Sequence, residues 1–90
     1  MRFQYTNPFL RDGEQLPQHI RKQLERKLRL LSKNPRHPSL RIKKVKGEVR
    51  GYRDIFEGSI TMNYRFIFRI LPNDVYEFLH CGTHTEIFGR

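Results

Sequence analysis

Apolar and polar positions along the chain change period several times, and each change marks an element. Residues 2–6 (RFQYT) alternate and predict a short strand, which Asn7-Pro8 breaks. Residues 8–15 fit a helical turn ended by Gly13, and Pro17 suits the first turn of a second helix. In that helix Ile20, Leu24, Leu28 and Leu31 recur at spacings of 4, 4 and 3, which places them on one stripe. Arg21, Lys22, Arg26, Arg29 and Lys33 occupy the other sides, and Asn34-Pro35 stops it.

Residues 34–40 (NPRHPSL) predict a loop, and 41–46 (RIKKVK) a strand bounded by Gly47. Residues 55–61 and 64–70 alternate and predict a hairpin turning near Met62-Asn63. Tyr64, Phe66, Phe68 and Ile70 share one face of the second strand, while Arg65, Ile67 and Arg69 share the other. On the first strand Phe56, Gly58 and Ile60 oppose Glu57, Ser59 and Thr61. After a turn at 71–74, residues 75–81 (VYEFLHC) predict the last strand, and the segment around His84 reads as loop. The expectation is an α+β fold: an N-terminal strand and two helices packed on a four-stranded, mainly antiparallel sheet. One sheet face is then free of predicted helix. Arg65 and Arg69 point to it beside Glu57 and Ser59, a natural place for a phosphate chain.

Ninety residues make one domain, 1–90, with no repeat or linker. Charge changes the picture most. Eighteen Lys and Arg against nine Asp and Glu leave a net +9, and such an excess points to an anionic partner. Thirteen of those cations lie between residues 21 and 53 against two acids, Glu25 and Glu48. Lys43, Lys44 and Lys46 are the densest part. Strand alternation would put Lys44 and Lys46 on one side and Lys43 on the other, and this density favours phosphate contact. No apolar run is long enough to span a bilayer, and the N-terminus has no signal-peptide pattern. The only cysteine, Cys81, forbids an internal disulfide, which fits a reducing, cytoplasmic setting. One Cys and four scattered His give no metal-ligand spacing, so no metal and no cofactor are expected.

Several motifs carry a resemblance when taken in order. These are Gly51-Tyr52-Arg53-Asp54, the strand pair Tyr64-Arg65 in NYRFIFRI, and the tail Gly82-Thr83-His84-Thr85-Glu86-Ile87-Phe88-Gly89. From about residue 16 to residue 88 the chain resembles the RelE/ParE toxin superfamily, and its tail is similar to the YafQ branch. The resemblance implies the toxin of a type II toxin–antitoxin pair, acting as a ribosome-dependent mRNA endonuclease that inhibits translation. The alternatives are a ParE-like inhibitor of DNA gyrase, or an inactive RNA- or antitoxin-binding module. It also implies an acidic antitoxin in a hetero-oligomer and mRNA in the ribosomal A site as partners. Carried over by position, Arg65 contacts the scissile phosphate, His84 is the general acid, and Phe88 is the aromatic near the tail. Glu57 stands near where RelE itself carries a lysine, and Phe56 where YafQ has a histidine.

Cutting RNA by way of its own 2′-hydroxyl needs a proton acceptor, a cation for the charge of the phosphorane, and a proton donor for the leaving oxygen. Arg65 has the planar fork for the phosphate. His84 can titrate near neutrality. Glu57 is a candidate base or a partner for His84. Lys43, Lys44, Lys46, Arg53, Arg69 and Phe88 are the candidate RNA contacts. His80, which alternates with Phe78 and Tyr76, reads as structural.

Overall fold

Thr6 both ends the first strand and starts the first helix. Its hydroxyl accepts from the Phe9 backbone N–H (3.2 Å), an N-cap, and donates to the Phe78 carbonyl (3.0 Å) on the last strand. The structure, a computed structural model, describes residues 1–89. It runs β1 (Arg2–Tyr5), α1 (Asn7–Gln15), α2 (Gln18–Lys33), a 3-10 turn (Pro38–Leu40), β2 (Lys43–Lys44), β3 (Phe56–Ser59), β4 (Tyr64–Leu71), β5 (Val75–Thr83) and α3 (His84–Phe88).

The sheet order is β1-β5-β4-β3-β2, with β1 parallel to β5 and every other pair antiparallel. This is the expected α+β architecture, with five strands in the sheet once β1 is included. The local differences have physical reasons. Gly13 does not end α1, because the helix continues to Gln15 and Arg21 reaches back to its orphan carbonyls, Nε to Gly13 O (3.2 Å) and Nη2 to Glu14 O (2.8 Å). Pro17 caps α2 from outside instead of lying within it. The strand expected over 41–46 shrinks to Lys43–Lys44, since Arg41 just before it adopts a left-handed conformation (φ 49°). β5 runs on to Thr83, and the tail forms α3, not a loop, because Thr83 and Glu86 make a reciprocal capping box.

The stripe on α2 is buried as expected at Ile20, Leu24 and Leu31. It packs with Phe9 onto Phe66, Phe68 and Phe78, whose rings lie 5.6–6.0 Å apart, centre to centre. Ile70, on the same face by alternation, runs past the end of this layer and is exposed. Gly58 faces Phe66 across the β3–β4 ladder, and a Cβ there would lie 2.3 Å from the ring. Only glycine lets the ring lie flat against the strand.

The expectation of an uncovered second face does not hold. There Ile55, Ile67, Leu79 and Ile87 form a smaller buried cluster, covered by α3 and by Val45, Val49 and Tyr52 of the loop between β2 and β3. A β-bulge helps build it. Phe66 pairs with Cys81, Ile67 with His80 and Phe68 with Phe78, leaving Leu79 as the extra residue on β5. Leu79 joins the second cluster, and His80 turns to α1, where its Nδ1 lies 2.8 Å from Asp12 Oδ2. His80 thus joins β5 to α1 through its side chain. No described helix is long and apolar enough to cross a membrane.

Candidate nucleic-acid site

The hairpin between β3 and β4 and the start of α3 meet at one end of the second face. Their meeting is fixed by backbone: the His84 N–H donates to Asn63 O (3.1 Å). An open cleft of about 500 Å³ lies there, lined by Met62, Asn63, Tyr64, Arg65, Thr83, His84 and Thr85. The two residues expected to do chemistry, Arg65 and His84, therefore share one cleft.

Arg65 is held from several sides. Its Nη1 donates to the carbonyls of Thr61 and Tyr64 (3.0 Å for Tyr64) and to Ser59 Oγ (3.3 Å). Its Nε lies 3.7 Å from Glu57 Oε2. Nη2 has no partner among the described residues, so the guanidinium is pinned with one nitrogen left for a ligand. His84 opens α3 with its side chain exposed, and its ring leans on Phe88 (centroids 4.7 Å apart, 39° between planes). Phe88 also packs on the second-face cluster, which fixes the surface beneath the histidine.

The other candidates are placed differently. Glu57 is buried and does not line the cleft. It lies behind Arg65, bridging to Lys43 (3.5 Å) as well, and no hydrogen bond joins it to His84 among the described residues. Arg69 turns away from the cleft, bonded to Glu77 Oε1 (2.6 Å) and lying 5.3 Å from the centre of the Tyr52 ring. Lys44, Lys46 and Arg53 gather around a separate hollow of about 470 Å³ under the β2–β3 loop. There Lys44 pairs with Asp54 (3.5 Å), and Arg53 with Glu48 (3.6 Å). Lys43 reaches to the other side, toward Glu57, as alternation required. Arg50 ties this loop to α3 by donating to the Glu86 carbonyl.

Sequence reasoning missed Met62, Asn63, Tyr64, Thr83 and Thr85 as lining residues. The turn position of Asn63 was visible, but the contact across the cleft joins residues too far apart in the chain for any local pattern to show. Among the described residues, no group of three or more His, Cys, Asp or Glu is placed to hold a metal ion.

The sheet order β1-β5-β4-β3-β2, with α1 and α3 packed against β5, is an α+β arrangement shared with several solved structures. The fold is that of the RelE/ParE toxins. Aligned structures include YafQ from E. coli strain BL21(DE3), with a TM-score of 0.76 at 15% identity, covering 96% of this chain and 97% of that one. The YoeB/ParE toxin from Agrobacterium tumefaciens aligns with a TM-score of 0.74 at 18% identity, covering 93% of this chain and 99% of that one. An archaeal RelE–RelB complex from Pyrococcus horikoshii OT3 gives 0.70 at 18% identity, covering 91% and 92%. No family model matches the sequence, and no curated protein matches it.

Proposed function

We propose that this protein is the toxin of a toxin–antitoxin pair and that it cuts mRNA on the ribosome. The observation that carries the reading is the sharing of one open cleft by a pinned arginine with a free nitrogen and an exposed histidine. In the proposed reaction the 2′-oxygen attacks the neighbouring phosphorus and its proton leaves to solvent. The bond from phosphorus to the 5′-oxygen breaks. Arg65 Nη2 meets the phosphate oxygens as charge builds on them. His84 gives a proton to the departing 5′-oxygen. The products are a 2′,3′-cyclic phosphate and a 5′-hydroxyl. Glu57 is a positioning residue in this scheme: with Ser59 and Thr61 it holds Arg65 from behind. Lys43, Lys44, Lys46 and Arg53 contribute phosphate contacts away from the chemistry, where each cation adds a little, salt-dependent affinity. Phe88 supports the His84 ring.

The same reading carries an acidic antitoxin as partner. The net charge of +9 needs an anionic cover in a resting cell, and one of the matching folds was solved as a RelE–RelB complex.

The test is single-turnover cleavage on programmed ribosomes beside a sedimentation binding assay. His84→Ala is expected to slow cleavage by roughly 10²–10⁴ while leaving ribosome binding nearly unchanged. A parental rate in His84→Ala makes the histidine a bystander. A parent that binds but never cleaves moves the reading to gyrase inhibition or binding alone.

A further inference from the structure

A second hollow, of about 290 Å³, lies on the other side of the hairpin turn from the cleft, lined by Lys27, Ser39, Arg41, Ser59, Thr61 and Met62. It holds two cations and three hydroxyls, and no acid. Lys27 and Arg41, like most lysines and arginines of this basic chain, make no ion pair among the described residues. Lys27 is held at its charged end and Arg41 at its backbone. Lys27 Nζ donates to the Ser39 carbonyl (2.7 Å). Arg41 sits in the left-handed region (φ 49°), its N–H bonded to Pro38 O (3.1 Å), a conformation that non-glycine residues rarely adopt. Partial burial first, and then the nearby Arg41, push the Lys27 amine below its ordinary value.

The hollow adjoins the cleft. Met62 lines both, and the Thr61 carbonyl that closes one side accepts from Arg65 on the other. Met62 itself is 82% exposed at the ridge, an apolar surface on which a base can rest.

We propose that the Lys27–Arg41 hollow is a second phosphate subsite, holding a backbone phosphate of single-stranded RNA next to the one held at Arg65, with the strand crossing the Met62 ridge. This rests on the RNA reading of the cleft, but not on cleavage.

The test uses fluorescently labelled, fully 2′-O-methylated oligoribonucleotides, which cannot be cut, and fluorescence anisotropy over a range of salt. The variant is Lys27→Gln/Arg41→Asn, since asparagine tolerates the left-handed backbone. Its effect on a tetranucleotide is expected to be about a tenfold loss of affinity, with a salt slope shallower by about 0.7, the value for one phosphate contact on a single strand. A dinucleotide, with one phosphate, should bind the variant as it binds the parent. Removing equal charge elsewhere on α2, as Lys22→Gln/Lys33→Gln, should cost less than the hollow variant, and Lys27→Arg should keep parental affinity. Parental tetranucleotide affinity in the hollow variant overturns the subsite, as does a loss that persists in Lys27→Arg. Arg65→Ala in the same assay separates the two readings. If it weakens binding and the hollow variant does not, only the subsite fails. If neither does, the RNA reading of the cleft fails with it.

Discussion

The two faces of the sheet solve different problems. The helix face is wholly apolar at its centre, with Phe66, Phe68 and Phe78 packed ring to ring under Phe9 and α2. The second face buries a small cluster of four aliphatic residues, bordered by the ion pairs of Glu57 with Lys43 and Arg65 and of Glu77 with Arg69. A helix as long as α2 would have covered that face from end to end. Instead a five-residue helix and a loop cover its middle, and one end stays open around Arg65 and His84. Burial and chemistry are thus divided between opposite sides of the same strands. Neighbouring residues of β4 belong to different tasks: Arg65 to the cleft, Phe66 to the core.

The division can be broken from the helix face first. Phe78→Ala is expected to cost about 3–5 kcal/mol in denaturant unfolding. A loss below about 1 kcal/mol would mean that the ring layer does not carry the fold. Gly58→Ala should cost about 1–3 kcal/mol, because its methyl group would have to displace the Phe66 ring. A shift in the unfolding midpoint without a change in slope would place that effect in the native state.

On the second face the sharper comparison is between two arginines four residues apart. Arg65→Ala should leave the fold intact and lower cleavage by about 10²–10³. Arg69→Ala should lower stability by about 1–3 kcal/mol, because it takes a charged hydrogen bond from the buried Glu77 along with the Tyr52 contact, and should cleave at the parental rate. Equal cleavage defects in the two variants would erase the distinction drawn between them.

The smallest expected effect concerns Cys81, buried between α1 and the ring layer. Burial first, and then the Asp12 and Glu86 carboxylates, push its thiol up to about 12. The folded state therefore favours the neutral thiol. The stability this supplies is fully present below the thiol's ordinary value near 9 and is lost as pH rises toward 12. At pH 8 a maleimide should label native protein far more slowly than denatured protein, and unfolding curves should not change between pH 6 and pH 8 on this account. Rapid native labelling would show that the layer opens.

Much of this was legible in the residues alone. The α2 stripe, the hairpin over 55–70 and the last strand followed from period and turn chemistry, whereas Arg65 and His84 were singled out together only by the family resemblance. The rest depended on contacts between distant residues. The second face was expected bare because the tail read as loop, and its cover by α3 and by Val45, Val49 and Tyr52 joins residues far apart in the chain. Arg69 has the same residue type and strand parity as Arg65, and only Glu77 on the neighbouring strand diverts it. Arg41 looked like part of a strand until the 3-10 turn before it fixed its backbone. Glu57 shows the same limit: alternation placed it on the right face, but its burial behind Arg65 depends on how the strands twist.

The bond from His84 N–H to the Asn63 carbonyl has a further consequence. It ties the two walls of the cleft to one turn, and Arg65 is anchored to Thr61 in that same turn. Loop length is therefore not free between residues 60 and 63. One inserted residue there would shift the register of Arg65 and release the histidine wall in a single step. The 46–54 loop holds its place through surface ion pairs, two apolar contacts and the Arg50 bond to the Glu86 carbonyl, all made by side chains, and has more room to lengthen away from them. Related chains that keep the chemistry should thus vary in length at the second loop and hardly at all at the first.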